Sequence, residues 1–353
     1  MGTSDTETLR NVGISIIAIG VVVAGLVLGS SFLIPLAIAF LLWNLLEALI
    51  DGFARIEVGR LRLPRWLAGV LSVAAVGLVL YLVALILLAQ GEAIAVAWPR
   101  YEERLKSIVA DFAQWLGPAY SAKVREVLGK IELTKHAAGV FATAQSLILN
   151  SILVVLYVGF LLAERDQVSQ KIASLFPDRT QAREIDRMLS AISDGIRRYI
   201  WIKTLVSIIT GGLSYGVLRS LGVDFAETWS LLIFLLNYIP NVGSVVGVIF
   251  PTLLALVQFD TLGPFFIIAV GLTAIQMIIG NVVDPMLMGR SLNMSSFAIL
   301  LLLTFWGTVW GVVGMFLSVP LMMVIMIVCA NVQSWRWVAI LLSKDGRIDT
   351  QPS

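Results

Sequence analysis

The chain is predicted to be an all-α polytopic membrane protein, and three observations predict it. Of its 353 residues 58% are hydrophobic and only 14% charged, where soluble domains carry about 25% charged residues. Eight apolar segments approach or exceed the roughly 20 residues a helix needs to cross a bilayer core. Two of them, 229–257 and 297–330, are over-long and broken by glycine and proline. In lipid each backbone N–H and C=O must find a partner inside the protein, which favours helices and makes the broken segments informative.

Val12–Leu28 and Phe32–Ile50 form the first two spans, joined by a tight turn at Gly29-Ser30-Ser31. Only Arg10 flanks the first, and further spans follow at once, so it reads as a retained helix, not a signal peptide. A basic loop with Arg55, Arg60, Arg62 and Arg65 leads to Trp66–Ala89, closing an N-terminal group at 1–89. Residues 90–143 are amphipathic: Ile94, Trp98, Leu105, Ile108, Phe112 and Trp115 recur near helical spacing, with charged residues between. A surface-lying packing or oligomer-contact segment explains this more simply than a lid. Span four, Ala144–Ala163, and a basic stretch make up 144–198. The core at 199–335 holds Tyr199–Leu218, the first broken segment, Gly263–Val283 and the second broken segment; 336–353 is a polar tail.

Lys and Arg bias orients the spans. Basic residues mass at 51–65, at 164–198 and in the tail, so these and both termini are expected in the cytoplasm, with 90–143 outside.

The first broken segment contains Asn237-Tyr238-Ile239-Pro240-Asn241-Val242-Gly243. Pro240 removes a donor and Gly243 loosens the backbone. A kink tolerated for packing is one account; a solute-lining break of the transporter kind is the other. The second broken segment, upright, would reach roughly 50 Å against a core of about 30 Å. Gly243, Gly247 and Pro251 in the first correspond to Gly307, Gly311, Gly314 and Pro320 in the second. Each follows a plain span, a pseudo-repeat that a single kink does not explain. If both segments cross, there are eight spans; if both are re-entrant, there are six and the repeats are inverted. Asp260 without Lys or Arg at 258–263, and Arg290 at 285–296, favour re-entry.

Composition excludes several functions. One histidine (His136), one cysteine (Cys329), no GxxxxGK[ST] loop and no metal-ligand cluster argue against ATP-driven pumping and against an enzyme. No cofactor and no nucleic-acid partner are expected, since the basic residues are dispersed. Asp284 is the candidate coupling carboxylate: it ends a span near one face with Gln276 and Asn281, and intramembrane acids face a cavity or a partner. Pairing with Arg290 at the interface is the alternative. Glu47 and Asp51 read as an interfacial helix end, Glu164 as a neighbour of Arg165, and Arg197, Arg198 and Lys203 as snorkelling anchors.

Residues 198–320 carry a recognisable pattern: Gly222-Val223-Asp224-Phe225-Ala226 before Trp229, the Asn-Tyr-Ile-Pro-Asn-Val-Gly-Ser block at 237–244, then Gln276, Gly280-Asn281-Val282-Val283-Asp284-Pro285 and Met288-Gly289. Trp306-Gly307, Gly311, Gly314-Met315 and Leu317-Ser318-Val319-Pro320-Leu321 complete it. The chain resembles the autoinducer-2 exporter family of bacterial membrane proteins. The resemblance implies a secondary transporter of the inner membrane, assembled as a homo-oligomer, with pentamers expected. It also implies export of autoinducer-2, or sodium or lithium/proton antiport. For a small hydroxyl-rich solute, Asn237, Asn241, Ser244, Gln276 and Asn281 supply donors and acceptors, and unwound backbone at Pro240 and Gly243 adds more. Gly247, Gly307, Gly311 and Gly314 would allow helices to slide. A non-transporting oligomeric scaffold would use the same residues as packing devices.

Overall fold

The computed structural model describes residues 3–55, 57–58, 61–116, 152–164, 167–176, 178–288 and 293–346. The elements in order are α1 (Thr3–Leu28), α2 (Ser30–Ala54), a minimal hairpin of β1 (Glu57–Val58) and β2 (Leu61–Arg62), and α3 (Arg65–Leu116). Then come α4 (Ile152–Glu164), α5 (Val168–Leu175), α6 (Arg179–Ser220), α7 (Ala226–Leu236) and α8 (Val242–Gln258). The last are α9 (Leu262–Met288), α10 (Ser296–Asn331) and α11 (Arg336–Leu342). Stretches in α2, α3, α6, α9 and α10 are long and apolar enough to cross a membrane, and the protein is an all-α polytopic membrane protein. His136, Gly117-Pro118, Arg165 and Arg290 lie outside the described residues.

The boundary expected at Ala89 is absent. α3 is one helix of 52 residues that passes through Pro99. The change from apolar to amphipathic sequence alters what surrounds the helix, not its backbone. Residues 88–98 are mostly good helix formers, and a proline removes one donor without supplying a stop. Residues 90–116 are therefore an arm continuous with the third span, not a separate surface helix.

Both over-long segments fold back on themselves. α7 and α8, of 11 and 17 residues, reach roughly 16 and 25 Å, each short of a core of about 30 Å. Between them Ile239 N–H donates to the Leu236 carbonyl (2.8 Å), Gly243 N–H to Ile239 (3.0 Å) and Val242 N–H to Pro240 (2.6 Å). The last bond closes a γ-turn around Asn241, whose φ of 59° and ψ of −51° belong to the rare, strained kind. The turn thus pairs much of its own backbone, as lipid demands. α10 breaks at Gly311, with φ 64° and ψ −145°, a region open essentially to glycine alone. A Cβ on Gly307 would meet Met315 Cε at 2.9 Å, although eight residues along a straight helix would separate the two by roughly 12 Å. The simple kink is thereby excluded for both segments.

The chain divides into two compact units, 1–44 with 151–196 and 291–353, and 45–150 with 197–290. Inside the first, the Trp310 indole N–H donates to the Leu26 carbonyl at 2.9 Å, and Gly195 lies where an added Cβ would sit 3.0 Å from Met323 Cε. Inside the second, Leu218, Val223, Ala226, Ile233, Ala255, Ile268 and Leu272 form one cluster between α6, α7, α8 and α9. Its cohesion is van der Waals packing, because lipid tails are as apolar as leucine. That cluster holds the first hairpin against α6 and α9, and so sets the site.

Candidate functional site

α6 presents a buried polar face inside an apolar span. Tyr199, Lys203, Ser207, Thr210 and Ser214 recur every three or four residues, and all are buried. Serine and threonine alone would need no explanation, since Thr210 returns its hydroxyl to the Val206 carbonyl at 2.8 Å. A buried lysine does need one, because an unpaired charge in lipid costs several kcal/mol. Its partner is Asp284 on α9: Lys203 Nζ lies 2.7 Å from Asp284 Oδ2, with the two side chains 9% and 19% exposed.

Asp284 sits at a π-turn, Ile279–Val283. The Asp284 N–H donates to Ile279, five residues back. The next donor in that register would be residue 285, a proline without an N–H, so the Gly280 carbonyl is left without its helical donor. π-turns recur at functional sites for this reason.

The hairpin turn meets the same face of α6. Asn237 Nδ2 donates to Ser207 Oγ at 3.0 Å. Tyr238 O–H lies 2.7 Å from Thr204 Oγ1. Thr204 already gives its proton to the Ile200 carbonyl at 2.7 Å, so Tyr238 is the donor.

The expected solute-lining residues divide. Asn237 is built into the α6 contact. Asn241 is exposed at the strained turn, with Ser244 Oγ bonded back to its carbonyl at 3.2 Å. Gly243 and Gly247 are buried contacts of α8. A Cβ on Gly247 would lie 3.2 Å from Ile233 and 3.7 Å from the Gln276 amide, so Gln276 packs on α8. Asn281 is exposed and turned back on the Met277 carbonyl at 3.0 Å, away from any shared cluster. The residues therefore do not form one pocket in this conformation. Those brought together are Asp284, Lys203, Thr204, Ser207, Asn237 and Tyr238.

Three sequence assignments are corrected. Lys203 is not a snorkelling anchor but the partner of Asp284. Arg197 is not a free anchor either: its Nη1 lies 2.9 Å from Asp51 Oδ2. Glu47 is not at a wet helix end; it is 1% exposed and 3.7 Å from Arg65, which also reaches Asp51 at 3.1 Å. Asp51 thus joins α2, α3 and α6 through two arginines. Glu164 pairs with Lys171 at 2.7 Å on the surface.

The arm of α3 beyond its span clasps the other end of the first hairpin. Tyr101 donates to Asp224, Gln90 lies 3.4 Å from Glu227, and Arg104 lies 3.0 Å from Asp260. Gln258 ties the same end together, donating to the Gly222 carbonyl (2.8 Å) and accepting from the Asp224 N–H (2.9 Å). Burial first, then the bond to Asp224, pushes the Tyr101 phenol above its ordinary range, which lies near 10. A raised folded value means that this contact stabilises fully below about pH 10 and loses its effect only as pH climbs beyond that. Alkaline titration followed at 295 nm should therefore differ little between wild type and Tyr101→Phe until well above pH 10. An extra group ionising near its ordinary value in wild type alone would contradict the contact.

Comparison with known proteins bears on what this framework does. A putative transport protein of Haemophilus influenzae is 29% identical over 325 residues, covering 89% of this chain and 90% of that protein. The AI-2 transport protein TqsA of Escherichia coli is 36% identical over 193 residues, 54% of each chain. The putative transport protein YhhT of Escherichia coli is 37% identical over 148 residues, 42% of each. The family model described as AI-2E family transporter matches residues 15–334, which takes in every element from the apolar part of α1 to the end of α10, and the chain belongs to that family of membrane transporters.

Proposed function

We propose that this transporter is a secondary exporter of the bacterial inner membrane for autoinducer-2 or a similar small polar solute, with Asp284 as the coupling carboxylate. The observation that carries the reading is the polar seam of Lys203, Thr204, Ser207, Asn237, Tyr238 and Asp284 within apolar spans. A polar seam in lipid is costly, and such residues mark solute and ion pathways. The strained turn at Asn241 supports the reading, because strain persists where function needs it. Gly247 and Gly307 lie at close contacts within their hairpins, along which the limbs can shift. In this reading a homo-oligomer, a pentamer by family expectation, sits with both termini in the cytoplasm and both hairpins re-entrant.

Sodium or lithium/proton antiport is the second reading, favoured by the buried Lys203–Asp284 pair, which holds a cation beside a carboxylate already.

The test is solute-dependent flux from proteoliposomes. Asn241→Gly keeps the positive φ without strain and removes the side chain. It is expected to lower autoinducer-2 flux at least tenfold at unchanged yield, about 1.4 kcal/mol or more of lost solute interaction. Flux equal to wild type would remove Asn241 from the solute path.

A further inference from the structure

We infer that the arm of α3 is a releasable strap, hinged at Pro99, that grips the first hairpin at the end opposite Asp284 and must let go for solute to pass. The inference rests on the proposed transport function and gives the core its moving part. The turn end of the hairpin is tied to α6 within a turn of Lys203, through Asn237 and Tyr238. The arm holds the other end, where α7 begins and α8 stops. Tyr101 donates to Asp224, Gln90 lies 3.4 Å from Glu227, and Arg104 lies 3.0 Å from Asp260. Gln90 to Arg104 is roughly 21 Å of helix, so one element takes hold of both limbs.

Three features distinguish a strap from a fixed brace. Pro99 lies inside α3, two residues before Tyr101. It lacks the N–H that would bond the carbonyl of residue 95, and helices bend at such points. The grips also differ in strength. Arg104 and Asp260 are 42% and 94% exposed, so their pair holds weakly, and the Gln90 bond is long; Tyr101 is the principal hold. Finally, the hold falls on a strained residue. Phe225, which opens α7, has φ 59° and ψ 32°, a left-handed conformation that a bulky side chain rarely adopts. Tyr101 secures it from both sides: its hydroxyl takes the Asp224 carboxylate, and its ring meets the Phe225 ring edge-on at a centroid distance of 6.3 Å. The Asp224 N–H donates to Gln258 at 2.9 Å. Strain of this kind gathers at clamps and switches, where it persists only while neighbours enforce it. Once Tyr101 withdraws, Phe225 is free to relax and carry the first turn of α7 with it. α7 is 11 residues long and leads directly into the turn beside α6. A fixed brace accounts for the contacts, but for neither the proline nor the strained residue they guard.

The experiment bridges the strap to the hairpin in the full chain. Arg104→Cys and Asp260→Cys are combined with Cys329→Ser, which removes the one native thiol, and joined by a short bis-methanethiosulfonate reagent. Bridging should lower autoinducer-2 efflux from proteoliposomes about tenfold, and dithiothreitol should restore it, because lids of this kind must open in each cycle. Pro99→Ala should raise the unfolding midpoint while lowering efflux about threefold, the mark of a hinge made stiff. Failure of the two thiols to bridge, bridged protein that exports as fast as reduced protein, or Pro99→Ala efflux equal to wild type would each overturn the strap. Hydrogen exchange reads the same motion without transport. Tyr101→Phe keeps the ring and loses the bond to Asp224, so amides of α7 and of the turn at Tyr238 should exchange about threefold faster. Exchange unchanged at both places would also overturn the inference. If wild type exports nothing while exchange responds as expected, the transport reading falls and the releasable strap stands.

Discussion

Replacing Gly243 with alanine is expected to prevent the first hairpin from closing. A Cβ at that position would run into the Leu236 carbonyl, the atom that receives the Ile239 N–H in the turn. The obstacle is backbone, not the far end of a flexible side chain, so it cannot swing aside. Gly314 stands in the same relation to the Trp306 carbonyl, with Trp310 Cβ at 2.9 Å besides. Either substitution should cost about 3 kcal/mol or more, the upper range for overpacking. Gly263→Ala, in the first turn of α9 with nothing within 4 Å, is the matched control and should be neutral. Unfolding midpoints in detergent and the monodisperse fraction on size exclusion would read this. A Gly243→Ala protein as stable as the control would mean that the two limbs do not meet as described.

The second large effect concerns the Lys203–Asp284 pair. Removing one partner leaves the other charged and buried, a loss of about 3–5 kcal/mol. Lys203→Met and Asp284→Asn should each show this in choline buffer. The double variant should recover most of the loss, because nothing charged is then stranded. Transport separates the residues where stability does not: Asp284→Asn and the double variant should both be inactive. A double-mutant cycle showing strict additivity would mean that the two side chains do not interact.

The hairpins were legible in the sequence because proline and glycine in an apolar run have few physical readings, and two such runs in matching places have fewer. Asp284 drew attention for a similar reason, since an acid closing an apolar run has few physical readings. Lys203 did not, because a lysine near the start of a span looks the same whether it snorkels outward or pairs inward. The choice depends on which face of α6 meets α9, and that is a tertiary fact. Ser207, Thr210 and Ser214 escaped notice because lone hydroxyls are common in membrane helices and bond their own backbone. Glu47 was misjudged for the opposite reason: a span end was taken to be wet, while the residue is buried and Arg65 from another helix reaches it. The long α3 was missed because polarity was allowed to stand for a boundary, although Pro99 alone does not end a helix.

Hairpins, π-turn and polar seam acquire one meaning if solute crosses at Asp284. The most direct measurement is efflux of autoinducer-2 from proteoliposomes under a pH or sodium gradient, with wild type, Asp284→Asn and empty vesicles side by side. The account predicts gradient-dependent efflux from wild type alone. Efflux from Asp284→Asn equal to wild type, or from wild type no faster than from empty vesicles, would contradict it.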